Sequence, residues 1–109
     1  SARIQNAKGE FIAPSSASAS KNLASQTDVA ANGLVTLNYN TPAAGAYPAA
    51  IFSYMLARTD GKGPNGLGVR QFADYVLAKC GPTRAAQLGY VALSGKVLAT
   101  ARSLALKIQ

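Results

Sequence analysis

The large apolar side chains of this 109-residue chain are gathered in its second half, and that asymmetry limits what it can fold into. Residues 47–109 hold most of the Leu, Val, Ile, Phe and Tyr. Residues 1–45 hold too few to offset, by themselves, the conformational entropy that folding removes. Hydrophobic residues make up 49% of the chain, but part of that fraction is alanine, which contributes little area per residue. Charged residues are 14%, below the roughly 25% of an average soluble domain, so the composition is too apolar for disorder. One modest core is the expectation.

Along the chain, Arg3-Ile4-Gln5 and Glu10-Phe11-Ile12 flank Asn6-Ala7-Lys8-Gly9, a turn-rich stretch that predicts a short hairpin. Ser15 and Ser16 follow Pro14 as N-cap candidates for a short helix to about Gln26, in which Leu23 is the only large apolar residue. Residues 27–46, rich in Asn, Gly, Thr, Ala and Pro, read as a surface connection, with Leu34 to Tyr39 alternating as a half-buried strand might. Ala49 to Ala57 (AAIFSYMLA) is a near-continuous apolar run of strand length, which predicts a strand covered on both faces. Val69, Phe72, Ala73, Val76, Leu77 and Cys80 then form a helical stripe, with Gly81-Pro82 expected to end the helix. Thr83 is expected to cap a short turn that Gly89 stops. Ser94 is expected to cap a last helix whose stripe is Val97, Leu98, Ala101, Leu104, Ala105 and Ile108.

The net charge of +7 would favour phosphate-rich partners if the cations shared a face. Instead Arg3, Lys8, Lys21, Arg58, Lys62, Arg70, Lys79, Arg84, Lys96, Arg102 and Lys107 are spread almost evenly, without the basic-aromatic alternation that stacks bases. Nucleic acid is therefore not an expected partner. No apolar run approaches the roughly 18–20 residues that span a bilayer, and no signal-peptide pattern is present. An exported protein of this kind would carry its leader outside these residues.

Chemistry is hard to assemble from this inventory. With no His, a lone Cys80 lacks the usual base and reads as a small buried hydrophobe. Glu10, Asp28, Asp60 and Asp74 form no i, i+3 or i+4 acid pair, and no metal-ligand spacing occurs. Gly61-x-Gly63-x-x-Gly66 matches the dinucleotide glycine pattern literally, but no acidic residue follows Asp74 to hold a ribose, and no second parallel strand follows the helix. Lys62 fails the Walker pattern because Gly63 stands where Ser or Thr should bind magnesium. The expectation is a non-enzyme with no cofactor, no metal and no catalytic or ligand-binding residue of its own.

The order of four segments resembles the C-terminal third of the extracytoplasmic phosphate-binding proteins of phosphate ABC transporters. Those segments are Ala46-Tyr47-Pro48 running into the apolar stretch to Leu56, Val69 to Leu77, Ala85-Ala86-Gln87-Leu88-Gly89-Tyr90-Val91-Ala92-Leu93, and Val97 to Ile108. Residues Ile4 to Ser15 resemble the hairpin and helix start that precede the hinge in that family. Ser94 stands where the family usually has Pro, and it still suits a helix start.

The resemblance implies an α/β fold of partial periplasmic-binding-protein-like lobes. Residues 1–45 would form a hairpin, short helix and connection of the second lobe, and residues 46–109 the hinge strand and C-terminal helices of the first. It implies a substrate-binding component located in the periplasm or outside the cell, associated with the cell surface and with an ABC permease. None of the family's phosphate ligands maps onto this sequence, so the chain would contribute scaffold. Its expected partners are the remainder of the binding protein or a second copy of the chain, with inorganic phosphate bound by the intact protein. Tyr47 and Pro48 are the hinge candidates, Pro by fixing φ and Tyr by packing across the lobe boundary, unless they simply begin a strand. An alternative of a different class is a free-standing structural or interaction module of the same fold on the cell surface.

Overall fold

Asn6 closes the first hairpin with its side chain as well as its backbone. Its Oδ1 accepts from the N–H groups of Lys8 and Glu10, both at 3.0 Å, and Gly9 turns the chain at φ +82°. In the computed structural model, which describes residues 1–109, this turn pairs β1 (Ile4–Gln5) antiparallel with β2 (Phe11–Ile12), Ile4 opposite Ile12. Helix α1 (Ser16–Ala24) follows, and Ser15 and Ser18 form a reciprocal capping box. The hairpin and first helix thus stand where residue chemistry places them.

The expected strand at Ala49 to Ala57 does not form. The segment carries no turn, bend or bridge and is unpaired, and the only other bridge in the chain joins Val29 to Val35. Apolar composition supplies the preference for a buried strand but no neighbour to pair with. The chain's two formal strands are two residues each and already pair with one another.

Helix α2 (Gly66–Tyr75) also departs from expectation, because it runs on through Gly81-Pro82. A π-helical segment (Val76–Cys80) continues into α3 (Gly81–Arg84) and a 3-10 turn (Ala86–Leu88). Gly81 donates to the Val76 carbonyl five residues back, and a Cβ at Gly81 would stand 2.9 Å from that oxygen. The wider turn accommodates Pro82, which has no N–H to contribute and whose ring would collide with the carbonyl of a regular helix. Thr83 consequently lies inside the helix, its Oγ1 donating to the Lys79 carbonyl at 2.8 Å, rather than capping a new one. Gly89 terminates the run at φ +80° as expected.

Helix α4 (Gly95–Ala105) packs against α1, α2 and the π segment, and its six-residue stripe is buried or half-buried throughout. Ser94 begins it from extended backbone without a side-chain cap bond. In α2 the stripe holds except at Phe72, which is exposed. The contiguous core is correspondingly small. Ala73, Ala105 and Ile108 form its centre, flanked by Val69 and Leu77.

Only twelve residues are buried, and none of them is aromatic. The accessible surface of 7125 Å² exceeds by roughly 1,400 Å² the area of about 5,700 Å² that a compact monomer of this mass presents. The radius of gyration, 15.4 Å against about 13 Å for a compact domain of this length, gives the same result. The chain forms mixed helical and sheet structure with much apolar surface left over.

Candidate interaction surface

Part of that surplus lies at residues 48–57. From Pro48 to Ala57 no main-chain N–H or carbonyl is hydrogen-bonded within the chain, and Ile51 and Leu56 are 77% and 95% exposed. Tyr54 and Met55 are also exposed, while Phe52 is half-buried. Unpaired backbone beside apolar side chains is a template for strand addition.

The segment is nonetheless held in place at three points. At its start, the Tyr47 N–H donates to the Ser18 carbonyl at 3.0 Å, and the Asn22 side-chain amide donates to the Tyr47 carbonyl at 2.8 Å. In its middle, the Tyr54 hydroxyl accepts from the Val35 N–H at 3.0 Å. Just past its end, the Arg58 carbonyl accepts from the Gln109 N–H at 3.2 Å.

The first attachment rests on a buried polar network. Asn22, only 1% exposed, accepts from Gln26 Nε2 at 2.9 Å. Gln26 in turn grips residue 38 at both main-chain groups, accepting from its N–H at 2.8 Å and donating to its carbonyl at 3.2 Å. Asn6 donates to the carbonyl of the fully buried Ala46 and to Glu10, which also accepts from the Gly45 N–H at 2.7 Å. Hydrogen bonding by the Asn6 amide, then by the Gly45 N–H, holds the Glu10 carboxyl below its ordinary range. Sequence reasoning missed this network. Its signal was the thin stripe of α1, which leaves polar Asn22 where the helix must pack and Gln26, four residues on, just past its end.

Tyr47 and Pro48, the hinge candidates, therefore sit where the chain leaves α1 and enters the unpaired segment. Tyr47 also lines an open groove of about 400 Å³ with Ser15, Ser16, Ala50 and Val91. No charged side chain lines this groove.

The glycine loop has a packing explanation. A Cβ on Gly66 would overlap the main-chain carbonyl of Gln109, so the start of α2 is covered by the chain's own C-terminal residue where a pyrophosphate would have to approach. The cations are dispersed among separate partners, with Arg58 on Asp60 at 2.8 Å, Arg102 on Asp74 at 3.5 Å, and Lys96 on the Thr27 carbonyl at 3.0 Å. Cys80 is half-buried inside the π segment. No helix is long and apolar enough to cross a membrane. No protein-family model matches the chain, and no match was found among curated proteins or solved structures.

Proposed function

We propose that the chain is a non-catalytic scaffold portion of an extracytoplasmic phosphate-binding protein serving an ABC permease. Its task is to build the hinge and complete a lobe behind the anion cleft. The observation that carries this reading is the ten-residue, largely apolar segment 48–57, anchored at Tyr47, Tyr54 and Arg58 yet without a single main-chain hydrogen bond of its own. A strand with apolar residues on both faces belongs inside a sheet, and these residues contain no further strands to build one.

The absence of charge around the groove beside Tyr47, together with the pairing of Asp60 and Asp74 to arginines, fits a segment that leaves anion binding to other residues. Tyr47 and Pro48 would then form the pivot, since the chain is fastened at Tyr47 and released immediately after it. Calorimetry with inorganic phosphate tests the assignment. The chain alone gives no saturable heat, whereas mixing it with the ligand-bearing two-thirds of a phosphate-binding protein restores binding. Saturable phosphate binding by the chain alone, or failure of the two parts to associate, refutes it.

A further inference from the structure

We infer that Ala49–Ala57 is a strand-addition surface and that in the isolated chain its occupant is the same segment of a second copy, paired antiparallel about a two-fold axis at Ser53. The inference rests on the reading of this segment as an unpaired strand, and it names the partner that satisfies it when no other chain is present.

Three observations favour a second copy. No main-chain N–H or carbonyl of the segment is hydrogen-bonded within the chain, so an identical antiparallel segment can meet these groups with complementary acceptors and donors about a two-fold axis. Residues 29–57 contain no Asp, Glu, Lys or Arg, so two chains of net charge +7 meet here without opposing like charges. Finally, Ile51, Tyr54, Met55 and Leu56 are each at least half exposed, so pairing with an identical segment would cover the same four apolar side chains in both copies.

Full overlap of the nine residues places Ile51 opposite Met55 and Phe52 opposite Tyr54, pairing large apolar or aromatic side chains across the strands. The segment has no Pro or Gly to interrupt the ladder. Arg58, the first charged residue beyond it, is already paired with Asp60.

Light scattering coupled to size exclusion tests the proposal on the full 109-residue chain. The expected mass is twice the 11.2 kDa of one chain. Ser53→Pro, whose fixed φ and bulky ring disfavour a regular paired strand at the axis residue, and Leu56→Lys, which sets two cations at the new interface, are each expected to weaken dimerisation at least about tenfold. Both lie outside every helix and strand, and unchanged far-ultraviolet circular dichroism verifies that the rest of the fold survives. A monomer at hundred-micromolar concentration, a dimer insensitive to both substitutions, or assembly beyond a dimer overturns the inference. A chain that stays monomeric alone but pairs with the ligand-bearing part of a phosphate-binding protein assigns the segment to that partner, overturning the second-copy occupant while leaving the proposed function standing.

Discussion

Asn22→Ala is the most informative single perturbation, because it removes the side chain that fastens the unpaired segment to α1. Asn22 donates to the Tyr47 carbonyl at 2.8 Å and accepts from Gln26 Nε2 at 2.9 Å. The two losses are unequal. Gln26 Nε2 keeps the Asn22 and Asn38 main-chain carbonyls, each at 3.2 Å, whereas the Tyr47 carbonyl has no other hydrogen-bond donor. The expected cost is that of one newly unsatisfied, partly buried carbonyl plus a small cavity, about 2 kcal/mol. For a domain of this size that corresponds to a fall in Tm of about 10 °C. Thermal and urea unfolding followed by circular dichroism measure it, and the Tyr47 amide should exchange faster because its bond to Ser18 loses its neighbouring support. A change below about 0.5 kcal/mol, within the range of an ordinary surface substitution, would refute the claim that the polar network holds the segment.

Two further perturbations probe other attachments. Gly66→Ala is expected to destabilise by about 1–2 kcal/mol, because displacing Gln109 drags Ile108 out of the core and outweighs the helix propensity gained; stabilisation in urea unfolding, as at an exposed helical glycine, would contradict the packing. Glu10, with its pKa depressed in the folded state, stabilises the fold at pH values above the ordinary carboxylate range and loses that contribution as pH falls through the folded pKa. Glu10→Gln should therefore flatten the acid limb of a stability-versus-pH curve, and an unchanged limb would mean that Gly45 and Asn6 are not held by its charge.

How legible the structure was depended on whether the determining contacts were local. The hairpin at Asn6 to Gly9, the Ser15 cap, the Gly89 stop and the α4 stripe each arise from neighbouring residues, and each was readable in the sequence. The segment 49–57 was not, because a strand requires a partner and composition reports only preference. Gly81-Pro82 was misread for a related reason. Both residues disfavour a regular helix, but the π turn upstream removes the conflict, and its geometry depends on the close approach of Gly81 to Val76 rather than on propensity. At the interaction surface, Tyr47 and Pro48 could be singled out by type, but the amides of Asn22 and Gln26 that fix Tyr47 and residue 38 become evident only when α1 and the connection are seen together.

The anchoring of the unpaired segment bears on how a partner would bind it. Ordering a free ten-residue strand costs about 1–2 kcal/mol per residue in backbone entropy, enough to cancel most of the gain from pairing. Here the Tyr47 bonds, the Tyr54 hydroxyl and the Arg58 carbonyl restrict the segment before any partner arrives, so a share of that cost has been met by intramolecular contacts. What remains exposed is the part that rewards association, the open backbone and the side chains of Ile51, Met55 and Leu56. Cutting the tether at Tyr54 with Tyr54→Phe should therefore weaken strand pairing by keeping the aromatic surface but returning motion to the segment. If affinity were instead unchanged while the Val35 amide lost protection, pre-ordering would be irrelevant to association, and apolar burial alone would drive it.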